Sequence, residues 1–275
     1  MSHVSYEVNH PKIKQCLELI RALGNCDEPA SIIEEVHARD SMFSQGGIEY
    51  YYGGIDGIRN ILLGLKALNR QAAEIETILD FGSGFGRTAR FLKAYFSAAE
   101  VVTSDINPDA INFCEQILHC NSFASSKNLA EIIIPQKYDL IYCASVFTHL
   151  PAADWRLLIS KLAAQLKNNG ILLFTTLGQK LKPWVQGEVS TMTSVDTESI
   201  FASYEKTGFG FFPYKTDGEY GVALSTQDYT KSFIATCNDI KLLDYRECGL
   251  CNFQDVFICV KQYSNPALTR RDLLT

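Results

Sequence analysis

Apolar residues recur along this chain with two different periods, and the switch between them divides it. In KIKQCLELIRAL, residues 12–23, Ile13, Cys16, Leu17, Ile20 and Leu23 share one helical face. Gly24 follows as a C-cap. IRNILLGLKALN, residues 58–69, repeats the pattern. Between them lies the glycine-flanked aromatic run Gly46-Gly47-Ile48-Glu49-Tyr50-Tyr51-Tyr52-Gly53-Gly54. Its tyrosines read equally as packing for an N-terminal helical cap or, at Tyr51, as a cover over a ligand. From Ile75 onward, short apolar runs alternate with amphipathic stretches. The pattern predicts strand 75–81, helix 86–96, strand 101–105 and helix 108–119, with Pro108 at the first turn where no N–H is needed. It continues with a buried strand inside YDLIYCASVFTHLP (138–151), helix 152–167, a turn at Asn168-Asn169-Gly170, and strand 171–178. Alternation of this kind builds a parallel sheet covered by helices on both faces.

The alternation breaks after Gly178. Residues 179–224 hold a dense aromatic set: Phe201, Tyr204, Phe209, Phe211, Phe212, Tyr214 and Tyr220. Asp196 is placed to cap a short helix ending near Lys206, with Gly208 beyond it. Ser225 to Asp228 has the spacing of a capping box for the last helix. DIKLLDYR and DVFICVK are then two strands joined by a short turn, which requires an antiparallel pair at the sheet edge.

The densest chemical signal is ILDFGSGFGRTARFL, residues 78–92. A strand, a loop with Gly82, Gly84 and Gly86, and a helix follow one another, the order needed to bring backbone N–H groups against a ligand. A second strand ends in Asp105, about twenty residues on, where a carboxylate can accept from both hydroxyls of a ribose. The spacing is G-x-G-x-G, not the G-x-G-x-x-G of dinucleotide sites, and Asp80 at the strand mouth would repel a pyrophosphate. An ammonium or sulfonium suits it. With Asp80-Phe81-Gly82-Ser83-Gly84-Phe85-Gly86, the chain resembles the class I S-adenosylmethionine-dependent methyltransferases from about Tyr50 to Gln262. The resemblance implies an α/β, Rossmann-like fold. Its sheet has seven strands, mostly parallel with an antiparallel last strand, and it carries an N-terminal cap and an aromatic insertion between strands 5 and 6. Together with the periodicity, the resemblance divides the chain into a cap (1–70), a methyltransferase domain (71–262, with acceptor-side insertion 179–224) and a poorly ordered tail (263–275). S-adenosyl-L-methionine is the implied cofactor, with Asp80 on its amino group. Its site would comprise Asp80, Phe81, Gly82, Ser83, Gly84, Gly86, Arg87, Asp105, Ile106, Asn107, Ser125, Ala144, Ser145 and Tyr51. SVFTHLP, LLFTTLG, GFGFFPY, YGVALS and FQDVFICVK, in that order, resemble bacterial methyltransferases of surface-polysaccharide and glycan biosynthesis.

Acceptor chemistry is expected beyond the fourth strand, in Ser145-Val146-Phe147-Thr148-His149-Leu150-Pro151. His149 there reads either as a structural anchor or as a general base for a hydroxyl. Phe147, Trp155, Tyr214 and Tyr220 are the acceptor-side candidates, an aromatic surface being suited to a sugar. Trp155 and Trp184 read equally as core. No carboxylate cluster calls for a metal.

Composition narrows the partners. Net charge is −6, which argues against a general nucleic-acid binder and for a small-molecule or glycan acceptor. No apolar run reaches the roughly 18–20 residues of a membrane span, and MSHVSYEVNHPKIK lacks a signal-peptide core. Nine cysteines, mostly in apolar segments, suit a reduced, cytoplasmic protein. Cys248-Gly249-Leu250-Cys251 has no second pair to make a zinc site. Two rival readings stay open: a nicotinamide-dependent oxidoreductase on the same kind of sheet, and a non-catalytic S-adenosylmethionine-binding partner of another enzyme. Glycan-assembly enzymes are the partners expected of the methyltransferase itself.

Overall fold

The computed structural model describes residues 10–262 other than 28, 30 and 44–46. The expected tail 263–275, and Gly46 of the aromatic run, lie outside the described residues. Helix α1 (Pro11–Leu23) buries Ile13, Cys16, Leu17 and Ile20, and Gly24 closes it in the left-handed region at φ 65. Helix α2 (Ile48–Ala67) begins ten residues earlier than its periodicity suggests and takes in all three tyrosines. Its internal glycines would weaken an isolated helix. Here they let it lie close to its neighbours: a Cβ on Gly54 would stand 2.3 Å from the Phe91 ring, and one on Gly57 2.7 Å from the Tyr142 hydroxyl.

The α/β body follows as β1 (Thr77–Phe81), α3 (Ala89–Tyr95), β2 (Glu100–Asp105), α4 (Pro108–Gln116), β3 (Asn121–Ala124), β4 (Tyr138–Cys143), α5 (Ala152–Ala164) and β5 (Leu166–Thr176). Then come α6 (Lys182–Met192), α7 (Thr197–Thr207), β6 (Phe209–Tyr214), β7 (Asp217–Ser225), α8 (Gln227–Ala235), β8 (Ile240–Leu250) and β9 (Gln254–Lys261). The main sheet has seven strands in the order β3-β2-β1-β4-β5-β9-β8. β1 to β5 run parallel, and β9 lies antiparallel to both β5 and β8. This is the expected Rossmann-like sheet. Strand order reverses between β1 and β4, and open α/β sheets bind ligands in the crevice at that point.

Several predicted boundaries move, each for a local reason. α3 starts at Ala89, because Gly86 at φ 73 cannot join a right-handed helix. α4 stops at Gln116. α5 stops at Ala164 because Leu166 already pairs with Tyr138; β5 then bulges through the predicted turn, with Asn169 at φ 59. Asp196 and Gly208 cap α7 as expected. The last helix is capped by Thr226, whose side chain accepts from the Tyr229 N–H, and not by Ser225, which ends β7. Within the insertion, α6 and the antiparallel β6–β7 hairpin are additions to the expected elements.

Alternate residues of each strand supply opposite faces. Ile78, Leu140, Leu173 and Ile258 pack under α1, α2 and α3. Leu79, Ile141, Leu172 and Phe257 pack against α5 and α8 around Trp155. A smaller core, with Val185, Tyr204 and Phe212, anchors the insertion.

Candidate active site

β1 delivers Asp80 to the crevice and then turns sharply. The Gly82 and Ser83 N–H groups both donate to the Ser104 carbonyl, at 2.8 and 3.0 Å, tying the loop to the end of β2. The three glycines do different things. A Cβ on Gly84 (φ 52) would meet nothing within 4 Å, so the loop opens there. One on Gly82 would stand 2.4 Å from Val146, and one on Gly86 2.1 Å from Leu118. Gly86 is buried, and packing beneath the loop excludes a side chain there.

Asp80 is 3% exposed, and its Oδ2 has no hydrogen-bond partner. Burial pushes its carboxyl up to about 7, the Asp105 charge adding to this while the Arg87 guanidinium and the Ala89 N–H act the other way. A buried carboxylate oxygen without a donor is costly. An ammonium group would satisfy it. The site therefore fits a cationic, phosphate-free cofactor. Asp105 accepts from the Gly84 N–H at 2.8 Å through Oδ2 and from the Asn107 N–H at 2.9 Å through Oδ1. Each carboxylate oxygen can accept a second hydrogen bond, so the acid that fixes the loop can still receive ribose hydroxyls. Asn107 itself caps α4, its Oδ1 accepting from the Asp109 N–H.

A pocket of about 200 Å³ runs from this loop along the carboxyl ends of β2, β3 and β4. It brings together Phe81, Gly82, Asp105, Ile106, Ser125, Ala144, Ser145, His149 and Tyr220 from the predicted set. Ile106 is 43% exposed, a large apolar side chain left uncovered at the pocket rim. Ser145 adopts φ 60, rare for a residue with a Cβ. It is held there by Thr175, whose Oγ1 accepts from the Ser145 N–H at 2.8 Å, and by Gln254, whose Nε2 donates to the Ser145 Oγ at 2.9 Å. Thr175 and Gln254 carry no local sequence signal; strands β5 and β9 bring them under the loop.

His149 lies in a short 3-10 turn after β4. Its Nδ1 is 2.9 Å from the Gly221 carbonyl oxygen and 2.9 Å from the Tyr214 hydroxyl, both on the β6–β7 hairpin. Burial lowers its pKa below 6.5, with the Gly221 contact opposing, so the ring is neutral at pH 7. The hairpin also supplies Tyr220, with the Lys127 ammonium 5.4 Å from its ring centroid, and Asp217, which pairs with Lys127.

Other expected members fall elsewhere. Tyr51 is 2% exposed, and its hydroxyl donates to the Glu34 carbonyl, so it is a cap core residue and does not cover the pocket. Phe147 and Trp155 are wholly buried against one another; the indole N–H donates to the Phe147 and Leu150 carbonyls. They shape the His149 turn from beneath and are not an acceptor platform. Trp184 packs edge-on against Phe253. Cys248 near the end of β8 and Cys251 in the turn that follows are free thiols, and among the described residues no group of acids, histidines and cysteines is arranged to hold a metal.

Residues 79–172 match a family described as a methyltransferase domain. That stretch includes the glycine loop, Asp105 and the His149 turn. A search of curated proteins by sequence found no match. Among solved structures, the chain is similar to magnesium protoporphyrin IX methyltransferase from Synechocystis PCC 6803 with bound S-adenosylhomocysteine: 13% identity, TM-score 0.53, covering 80% of this chain and 91% of that one. It is similar to an S-adenosylmethionine-bound amino pentose methyltransferase from Micromonospora echinaspora involved in calicheamicin biosynthesis (12%, TM-score 0.51, 76% and 92%). An O-methyltransferase family protein from Burkholderia thailandensis also shares the fold (10%, TM-score 0.51, 91% and 69%).

Proposed function

We propose that this chain, a class I S-adenosylmethionine-dependent methyltransferase, methylates a hydroxyl of a small or glycan-linked acceptor, with a sugar as the acceptor class. The observation that carries this reading is the His149 imidazole on the wall of the same pocket as Asp105, its Nδ1 held by the Gly221 and Tyr214 oxygens. When bound, the cofactor supplies a methyl group made electrophilic by its sulfonium. Asp80 would hold the ammonium through its unpartnered Oδ2, and Arg87 would be a further cofactor contact. Asp105 would receive the ribose hydroxyls, and Phe81, Ile106 and Ser125, which line the same pocket, would border the adenine. His149 accepts the proton of the acceptor hydroxyl as the methyl group moves. Holding the acceptor in line contributes the larger part, roughly 7–11 kcal/mol of barrier lowering.

Tyr220 supports the sugar reading, since an aromatic face covers C–H surfaces while polar neighbours hold hydroxyls. An amino pentose methyltransferase is among the structures of similar fold, which supports a sugar as the acceptor class. In this reading residues 1–70 form a cap, 71–262 the catalytic unit and 179–224 its acceptor side. The chain would act in the cytoplasm beside glycan-assembly enzymes; among the described residues no helix is long and apolar enough to cross a membrane.

The test is transfer of a tritiated methyl group from S-adenosylmethionine to a panel of free and nucleotide-linked sugars, with the product identified. An O-methyl sugar is expected. His149→Asn should lower kcat by about 10²–10⁴-fold and leave S-adenosylhomocysteine affinity unchanged. Label appearing on an amine, with His149→Asn fully active, would overturn the hydroxyl reading.

A further inference from the structure

The β6–β7 hairpin is built in a way that the methyl-transfer reading leaves unexplained. Pro213 pairs with Gly221 across the hairpin. Proline has no N–H, so it offers the Gly221 carbonyl nothing, and the carbonyl oxygen meets His149 Nδ1 at 2.9 Å instead. Gly221 cannot be replaced without moving the strands: a Cβ there would stand 2.2 Å from the Phe212 carbonyl oxygen. The next residue along β6, Tyr214, brings its hydroxyl to the same Nδ1, also at 2.9 Å. Two oxygens thus converge on one ring nitrogen.

Only one assignment of protons suits both contacts. A carbonyl oxygen has no hydrogen to give, so a lone pair on Nδ1 would face its lone pairs and be repelled. With the proton on Nδ1, the N–H is shared between the Gly221 carbonyl and the Tyr214 oxygen, and Nε2 keeps its lone pair. We propose that Gly221 and Tyr214 fix His149 as the Nδ1–H tautomer, so that Nε2 is the base for the acceptor hydroxyl and Tyr214 is a positioning residue for it. This rests on the proposed hydroxyl methylation. It gives the insertion a chemical role, because the base sits after β4 while the groups that orient it arrive from the hairpin about seventy residues later.

Both oxygens also stabilise the protonated ring formed as the base takes up its proton. Among the described residues, Tyr214 is the titratable group in contact with His149; Asp105 and Tyr220 share its pocket wall, and no charged side chain contributes to its shift. Losing the Tyr214 oxygen should therefore make His149 less basic without unfolding the hairpin.

Nitrogen-15 NMR of the full chain labelled at histidine, with S-adenosylhomocysteine present, tests this directly. Five histidines are present, and His149→Asn identifies the relevant pair of signals. Above its titration midpoint, His149 is expected to show a protonated Nδ1 and a lone-pair Nε2. Tyr214→Phe should lower that midpoint by about 0.5–1 pH unit, the excess of a charge-assisted over a neutral hydrogen bond to the ring, and lower kcat on the acceptor sugar about tenfold with little change in KM. An Nε2–H tautomer in the unaltered protein overturns the proposal. So does a Tyr214→Phe variant with an unmoved midpoint and unmoved kcat, which would make Tyr214 a packing residue. Full activity of His149→Asn would instead defeat the base reading itself, whichever tautomer the spectrum shows.

Discussion

At the scale of single residues, Asp80 shows most plainly how the site conflicts with stability. Its folded carboxyl titrates at about 7 against 3.8 for the unconstrained group, because it is buried. Between those values the folded state holds more protons than the unfolded one, so stability falls as pH rises through that window and stays lower above it. Asp80→Asn should accordingly melt above the unaltered protein at pH 8 without cofactor, with the gap closing toward pH 4. The same variant should bind S-adenosylhomocysteine about 10–100-fold more weakly. Equal melting temperatures across that range would show that the carboxylate is not held against its preference. Gly84→Val tests the opposite kind of residue. Nothing within 4 Å blocks a side chain there, so the variant should fold, with some strain from φ 52, and lose the cofactor that needs the space. Calorimetry with a circular dichroism control reads both effects. These positions were legible because glycine and aspartate at a strand end carry a backbone meaning. Phe147 and Trp155 were not, because an aromatic residue near a strand end packs or binds with the same sequence signature, and only their complete burial decides it.

The hairpin is the element on which the acceptor reading depends most. Lys127, from the loop after β3, pairs with Asp217 and lies over the Tyr220 ring. Both charges are solvent-accessible, so the pair adds little to stability. Asp217→Ala should leave the melting temperature in place and raise the acceptor KM several-fold while cofactor affinity stays constant. If KM is unmoved, the hairpin tip does not border the acceptor. Trp155→Ala should do the reverse: a loss of about 3–5 kcal/mol in urea unfolding, from an indole that fills the space between α5 and α8 and bonds the His149 turn. Sequence periodicity located most helices and strands of the body but shortened α2 and missed α6 and β6–β7. In α2 the glycines that end a helix by propensity are what permit its contact with Phe91 and Tyr142. In β6 and β7, Pro213 and Gly221 are turn-forming residue types, yet they face one another across a ladder.

Across the whole molecule, the alternation of strands and helices from Ile75 and the closing hairpin specified the sheet, and the order β3-β2-β1-β4-β5-β9-β8 places its reversal beside Asp80 and Asp105. Legibility ended where residues distant in sequence meet. Gln254 under Ser145 and Gly221 against His149 are 109 and 72 residues apart, respectively, and neither partner carries a mark of the other. The central claim is that this crevice takes S-adenosylmethionine through Asp80 and Asp105. The most direct measurement is a calorimetric titration of the full chain with S-adenosylhomocysteine, and in parallel with NAD and NADP, repeated for Asp80→Asn and Asp105→Ala. One equivalent of S-adenosylhomocysteine should bind, the nicotinamide nucleotides should not, and each substitution should weaken binding by about one to two decades. Nucleotide binding in its place, or S-adenosylhomocysteine affinity untouched by both substitutions, would contradict the account.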